Sequence, residues 1–156
     1  MPGPESGVYI ITSLCGQGGT VGVPNPTNPS RPPQSEPLVT VPHDFLQNKW
    51  HIFRSLQDGP YMITSVSSFY MLTGVQDDNS VIATNDRTES AEWEITGFDN
   101  QAPDLYVIHR SRGSQAWTVE AEQTPETQSP ITVSTLQLDE NLPPKPTQLF
   151  KFSRLD

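Results

Sequence analysis

The chain has 156 residues and a net charge of −9, with a pI near 4.6. This acidic balance argues against nucleic acid and against anionic membrane surfaces as partners, because both attract basic patches. No apolar run approaches the roughly 20 residues that a membrane-spanning helix needs. The length fits one domain that buries a sizeable core.

The chain shows no features of conventional export. Its N-terminus, MPGPESG, has neither the basic nor the apolar region of a secretory signal. Cys15 is the only cysteine, so an intramolecular disulfide is excluded. Both features fit a reducing compartment or export by another route, and we expect a cytoplasmic protein that acts as a monomer.

Short segments along the chain carry apolar residues at every second position and are rich in Val, Ile, Tyr, Phe, Trp and Thr. Gly, Pro, Asn and Asp bound them, which is the pattern of β-strands. No window of ordinary helix length shows a 3.6-residue period. The predicted strands are 8–13, 20–23, 38–41, 50–54, 61–66, 70–74, 81–84, 92–96, 105–110, 116–120, 131–136 and 149–153.

These strands carry an internal repeat. Three of them begin with a tyrosine that is followed two positions later by isoleucine, at Tyr9, Tyr61 and Tyr106. Three others carry a second apolar pair at the same spacing, at Trp50, Trp93 and Phe150. Residues two apart on a strand share a face, so each pair points into one core.

The repeat predicts the fold. Each Tyr strand is followed by two shorter strands and then by a Trp or Phe strand, which gives units of about 7–55, 59–98 and 104–156. The prediction is all-β: a single β-trefoil domain over residues 1–156, with twelve strands in three four-strand units related by pseudo-threefold symmetry. An irregular sandwich with accidental similarity between its strands is the alternative.

One connection differs from its counterparts. Between strands two and three of the first unit lies the proline-rich segment 25–36, NPTNPSRPPQSE, with Arg31 as its only basic residue. Proline fixes φ and removes an N–H donor, so we expect an exposed connection that is stiffer than its length suggests. The second unit has only VQDDNS at 75–80, and the third has EQTPETQSP at 122–130. Long loops on a rigid scaffold are where function usually lies.

Three Tyr-x-Ile units in an acidic chain without disulfides, together with the opening SGVYIITS, resemble the β-trefoil protease inhibitors of mushrooms over the whole chain. The resemblance is nearest in kind to the cospin and cnispin group, which acts on trypsin-like serine proteases. The mycocypins (clitocypin and the macrocypins) are related and act on papain-like and legumain-like cysteine proteases. The resemblance implies a protease inhibitor, with a trypsin-like target first and a papain-like target second.

The resemblance also implies a reactive loop. In the cospin-like group this loop joins strands two and three and presents an arginine, which carries over to Arg31. The protease-binding loop then comprises Arg31 with its neighbours Asn28, Pro29, Ser30 and Pro32. Legumain inhibition by an Asn in the loop after strand five is not implied, because that loop, about 67–68, is very short and contains no Asn.

Physical arguments partly support Arg31. A trypsin-like S1 pocket ends in a carboxylate, and a desolvated Arg–carboxylate contact is a strong charge-assisted pair. However, the next residue is Pro32, which either protects the bond after Arg31 from cleavage or keeps Arg31 out of the cleft. Without the resemblance, a solvated loop charge is the simpler interpretation. Lys145, in the second proline-rich segment 137–148, is a secondary candidate with the same two interpretations.

A carbohydrate-binding trefoil lectin is the alternative function. Such lectins often carry Gln-x-Trp in each unit, whereas here the only such motif, Gln115-Ala-Trp117, lies outside the strand-four positions. Asp77, Asp78 and Asp86 suggest a cation site, for which a plain turn is the simpler interpretation. The sequence has no convergent nucleophile, base or metal-ligand set, so we expect no catalytic residues, no metal and no cofactor.

Overall fold

The computed structural model describes residues 3–15, 19–23, 35–41, 48–54, 56, 59–66, 71–85, 87–88, 90–97, 104–111, 113–119, 130–136 and 146–155. Among these residues none forms a helix long and apolar enough to cross a membrane. A short 3-10 helix covers Pro146–Gln148. The strands are β1 (Gly7–Ser13), β2 (Thr20–Gly22), β3 (Ser35–Pro37), β4 (Val39–Val41), β5 (Lys49–Phe53), β6 (Met62–Ser65), β7 (Leu72–Val75), β8 (Val81–Thr84), β9 (Trp93–Gly97), β10 (Leu105–Arg110), β11 (Gln115–Val119), β12 (Ile131–Thr135) and β13 (Phe150–Arg154).

Six of the described strands close into a ring. Antiparallel pairing runs from β1 to β5 and β6, and from β9 through β10 and β13 back to β1. The remaining junction, between β6 and β9, is made by Tyr61 and Trp93, which exchange two backbone hydrogen bonds of 2.7 and 2.9 Å. Closure leaves the ring without a free edge, which is how a barrel avoids edge-to-edge aggregation.

Three hairpins cap one end of this barrel: β2 with β4, β7 with β8, and β11 with β12. They meet at Leu38, Val81 and Ile131, each of which is fully buried. The N–H of Leu38 donates to the carbonyl of Val81 at 2.9 Å, and its own carbonyl accepts from Ile131 at 2.9 Å. The ring and its three hairpins confirm the predicted β-trefoil of three four-strand units.

The predicted aromatic pairs fill the core. Trp50, Trp93 and Phe150 are fully buried, and Tyr9 and Tyr61 are nearly so. Strand β1 alternates buried and half-buried residues along its whole length, as a barrel strand with one inward face should. The period-two signal in the sequence therefore reports the inward face of the barrel.

The third unit packs its core differently from the other two. The indole N–H of Trp50 donates to the carbonyl of Val21 at 2.9 Å, and that of Trp93 donates to the hydroxyl of Thr73 at 2.8 Å. The third unit has Phe150 in this place, and Trp117 packs edge-on against its ring, with centroids 6.0 Å apart. Trp117 Nε1 is buried and has no hydrogen-bond partner among the described residues.

The structure adds one strand to the twelve that the sequence predicts. Residues 35 and 36, at the end of the segment predicted to be a plain exposed connection, belong to β3, which pairs with β8 of the second unit. The prediction is wrong for these two residues, because period two is not visible in three residues that contain a proline. Pro37 is tolerated because β3 is an edge strand, where a missing N–H breaks no ladder.

Candidate functional site

The candidate reactive loop is defined here by its two ends. Arg31 and its predicted neighbours Asn28, Pro29, Ser30 and Pro32 lie outside the described residues, as does Lys145. What the structure places is Val23, from which the segment leaves the first hairpin, and β3, through which it returns. The packing of these two ends determines how firmly the scaffold holds the side chains of segment 25–36.

The departing end is fixed by the first hairpin. Every residue of β2 is buried, and β2 pairs with β4 over three residues. The hydroxyl of Thr20 donates to the carbonyl of Val41 at 3.0 Å and accepts from the amide of Asn48 at 3.4 Å. Val23, the last described residue before the segment, is buried as well. The chain therefore leaves from a packed and hydrogen-bonded position.

The returning end is held by the second and third hairpins. Strand β3 lies along β8, with Ser35 opposite Thr84 and Pro37 opposite Ile82. The next residue is Leu38, whose backbone bonds to the second and third hairpins. A segment whose ends are anchored in this way loses less conformational freedom on binding than a loop on a mobile base.

The corresponding connection in the second unit is a tight turn. Gln76 N donates to Ser80 O at 3.0 Å, and Asn79 N donates to Gln76 O at 2.9 Å. The side chain of Asp78 accepts from Ser80 N at 3.0 Å, and this bond to a backbone N–H lowers the pKa of its carboxyl group. Asn79 takes the left-handed conformation, with φ of 68°, which Asn tolerates in turns.

This geometry supports the plain-turn interpretation of Asp77 and Asp78. Both side chains are exposed, and one oxygen of Asp78 serves the turn itself. Within the described part of the chain, no three His, Cys, Asp or Glu side chains cluster as metal ligands. Asp86, the third residue of the candidate cation site, lies outside the described residues.

The tryptophans are unavailable to a ligand. All three are fully buried, including Trp117 of the lone Gln-x-Trp motif. Trp117 lies edge-on to Trp93, with ring centroids 5.4 Å apart. An aromatic surface for ligand stacking must therefore come from other residues.

The opposite end of the barrel is covered by residues 3–6, which we call the N-terminal strap. The hydroxyl of Tyr61 donates to the carbonyl of Pro4 at 2.7 Å, and that of Tyr9 donates to the carbonyl of Glu5 at 2.7 Å. Arg154 binds the strap from the side, with Nη1 2.9 Å from the Glu5 carboxylate. The sequence reasoning missed this contact, because nothing local marks which strand a terminal segment will cover.

The strap and its surroundings affect the phenols. Burial raises the pKa of Tyr61, and the nearby Arg54 guanidinium only partly opposes that effect. Burial also raises the pKa of Tyr106, together with the charges of Tyr9, Asp104 and Tyr61. The raised pKa keeps the hydroxyl group of Tyr61 protonated in the folded protein, as a donor to the strap must be.

A protein-family model matches almost the whole chain. The model for peptidase inhibitor I66 matches residues 4–154, so the chain belongs to that family. It is a protein inhibitor of peptidases and not an enzyme. The predicted resemblance to the mushroom β-trefoil protease inhibitors is thereby confirmed. No curated protein sequence matches the chain.

Solved structures share its fold. A proteinase inhibitor from Coprinopsis cinerea is 18% identical, with a TM-score of 0.76 over 97% of this chain and 99% of that one. A ricin B-like lectin from Macrolepiota procera, in complex with lactose, is 14% identical, with a TM-score of 0.71 over 97% and 98%. The Rhizoctonia solani agglutinin is 15% identical, with a TM-score of 0.70 over 97% of each chain. At such identities the matches establish the fold alone.

Proposed function

We propose that the chain inhibits trypsin-like serine proteases by presenting segment 25–36 to the active-site cleft, with Arg31 as the side chain that enters the S1 pocket. Membership of a peptidase inhibitor family supports the proposal. The observation that carries it is the anchored return of this segment, through β3 and then through Leu38. Of the first two units' connections between strands two and three, only this one is long enough to reach into a cleft, since the second closes within residues 76–80.

The chemistry of the segment suits such a target. The guanidinium of an inserted arginine forms a bidentate pair with the carboxylate at the base of a trypsin-like S1 pocket. Pro29 and Pro32 restrict the backbone on either side of Ser30 and Arg31, and Asn28 adds a side chain that stabilises turns by bonding to nearby backbone. The bond between Arg31 and Pro32 resists hydrolysis, so the loop would block the cleft without being consumed.

Titration of two enzymes tests the proposal. Active-site-titrated trypsin and papain are each incubated with the wild type and with Arg31→Ala, Lys145→Ala and Arg87→Ala. Arg87 is the matched control, because it is an exposed arginine in a turn of the second unit. Equal thermal unfolding midpoints for all four proteins would show that any loss of inhibition does not come from loss of the fold.

We expect the wild type and Arg87→Ala to block trypsin and Arg31→Ala to lose at least a hundredfold in affinity, since a buried charge-assisted contact is worth about 3 kcal/mol or more. Release by Lys145→Ala alone would move the inserted residue to the second proline-rich segment. Inhibition of papain alone, unchanged by Arg31→Ala, would replace the serine protease with a cysteine protease. Failure of the wild type against both enzymes would contradict both targets.

A further inference from the structure

A depression of about 520 Å³ opens at the strapped end of the barrel. We call it the mouth depression. The N-terminal strap forms one of its walls, and Glu5 is among the lining residues on that side. The ends of β10 and β13 form the other wall, through Tyr106 and Lys151, and Asp104 completes the rim just before β10. It lies at the opposite end of the barrel from the hairpins, and therefore from the ends of segment 25–36.

The charges around the mouth depression cancel. Glu5 and Asp104 supply two carboxylates, and Lys151 and Arg154 supply two cations. The backbone N–H of Phe152 donates to the carbonyl of Asp104 at 2.9 Å, which holds Asp104 beside the strand that bears both cations. A site whose charges cancel gives no net attraction to an ion, but it offers both hydrogen-bond donors and acceptors.

The mouth depression also has an aromatic wall. Tyr106 is half-buried, and its ring centroid lies 4.9 Å from that of the buried Phe152. Phe152 packs in turn against Tyr9 at 5.7 Å, so the exposed ring stands on a fixed aromatic stack. A fixed ring that is part exposed and part buried provides apolar contact area at little entropic cost.

We propose that the mouth depression binds a neutral saccharide. A sugar ring has apolar C–H faces that pack on an aromatic side chain, and hydroxyl groups that both donate and accept hydrogen bonds. Asp104 accepts from these hydroxyl groups, Lys151 donates to them, and Tyr106 contacts the apolar face. This assignment is independent of protease inhibition, because it uses no residue of segment 25–36.

A second depression, also lined by described residues, does not match this chemistry. It measures about 570 Å³ and lies beside the turn at 76–80, where Asp77, Asp78 and Arg110 line it. No aromatic side chain is among its described lining residues, and Trp93 nearby is fully buried. The partly exposed aromatic ring distinguishes the mouth depression as the saccharide site.

Three oligosaccharides of different linkage serve as probes: maltotriose, cellotriose and triacetylchitotriose. Each is titrated into protein labelled on its tyrosine and lysine side chains, and chemical shifts are followed by NMR. Asp104→Asn and Lys151→Ala test the hydrogen-bonding groups, and Tyr106→Leu tests the aromatic wall. Lys49→Ala is the matched control, since Lys49 is an exposed lysine on β5, outside the depression.

We expect saturable shifts of Tyr106 and Lys151 with at least one probe. Lys151→Ala removes a hydrogen bond to a charged group, worth roughly 1.5 kcal/mol or more, and should weaken binding about tenfold. Asp104→Asn replaces a charged acceptor with a neutral one and should weaken binding by a smaller factor. Lys49→Ala should bind like the wild type. Arg31→Ala should also bind like the wild type, which separates this site from the proposed inhibitory loop.

Two results would overturn the proposal. The first is the absence of shifts at Tyr106 and Lys151 with all three probes at about 20 mM, well above the dissociation constants of weak sites. The second is binding that keeps full affinity in Asp104→Asn and Lys151→Ala. Both variants alter exposed side chains, so they remain informative even if Tyr106→Leu fails to fold.

Discussion

The two ends of the barrel are closed by different chemistry. At the hairpin end, backbone groups bond to backbone groups: Leu38 to Val81, Ile131 to Leu38, and Val133 to Asn79, each at 2.9 Å. At the strapped end, side chains of Tyr9, Tyr61 and Arg154 bond to the strap. Backbone bonds survive changes of side chain, whereas the strap depends on particular residues.

This difference explains where the chain can vary in loop length and composition. Because the hairpins are joined through their backbones, the connections at their tips are free to differ in length and composition. The first unit carries the long proline-rich segment there, and the second closes in a turn at 76–80. The strapped end lacks this freedom on its barrel side, since replacing Tyr9, Tyr61 or Arg154 would remove a donor to the strap.

The largest effect is expected at the hairpin end from Leu38→Ala. Leu38 is fully buried where the three hairpins meet, so truncation leaves a cavity at the centre of the cap. We expect a loss of about 2–5 kcal/mol in the free energy of unfolding, measured by urea denaturation. Leu56→Ala is the control, because Leu56 is 70% exposed and should change stability by less than about 0.5 kcal/mol.

If Leu38→Ala and Leu56→Ala proved equally mild, the hairpins would not share a common core. If Leu38→Ala also weakened protease inhibition beyond the loss expected from the unfolded fraction, the anchoring of segment 25–36 through Leu38 would gain direct support. An unchanged inhibition constant in the folded fraction would assign that anchoring to the backbone bonds alone, which the substitution leaves in place.

A smaller effect is expected at the strapped end from Gly3→Ala. A Cβ at this position would lie 2.5 Å from Tyr61 Oη and 2.6 Å from the carbonyl of Ile95. The second contact is with backbone, so the strap must shift and strain its bond to Tyr61. We expect a loss of about 1–3 kcal/mol. Gly113→Ala is not a matched control, since its φ of 128° is itself strained for alanine. A Cβ at Gly59 would lie 3.0 Å from Leu56 Cβ and 3.4 Å from the Leu56 carbonyl, which is less crowded than at Gly3, so Gly59→Ala should be milder.

The phenols of the strapped end predict a pH dependence. The pKa of Tyr61 is raised in the folded state, so its contribution to stability is complete below the unfolded pKa near 10 and is lost as pH rises through the higher folded pKa. The wild type should therefore lose stability above about pH 10. Tyr61→Phe removes the donor to the buried Pro4 carbonyl, which costs about 1–2 kcal/mol at neutral pH, and should flatten this alkaline loss.

Denaturation at pH 7 and pH 10.5 measures both effects of Tyr61→Phe. A variant that keeps the full alkaline slope would place the responsible groups elsewhere, with Tyr106 as the first alternative because its pKa is raised by burial as well. A variant as stable as the wild type at neutral pH would mean that another group satisfies the Pro4 carbonyl.

The comparison of the two ends also shows what a sequence reveals. Tyr61 and Trp93 were recognisable as core residues because each has an isoleucine two positions along the chain, and both members of each pair are buried. The backbone hydrogen bonds between Tyr61 and Trp93, which close the ring, could not be predicted from the sequence. They depend on which strands become neighbours in the fold. For the same reason β3 and the N-terminal strap escaped prediction: both are short segments defined by distant partners.

The candidate site likewise has features that the sequence shows and features that only the assembled fold shows. The sequence marks segment 25–36 as exposed through its prolines, since their effect on the backbone is local. It does not show that the segment returns through β3 and Leu38, which is a property of the assembled hairpins. The mouth depression could not be predicted from the sequence either, because Asp104, Tyr106 and Lys151 come together only when β10 pairs with β13.

The smallest effect is expected from Glu5→Gln, which removes the charge that Arg154 binds at 2.9 Å. Both side chains are exposed, by 86% for Glu5 and 40% for Arg154, so water screens the pair. We expect a change of no more than about 0.5 kcal/mol in the free energy of unfolding, disappearing in 1 M salt. The hydroxyl bonds of Tyr9 and Tyr61 would then account for nearly all of the strap's hold. A loss as large as that of Tyr61→Phe would show instead that the strap is clamped electrostatically, and the stability of the wild type should then fall as salt is added.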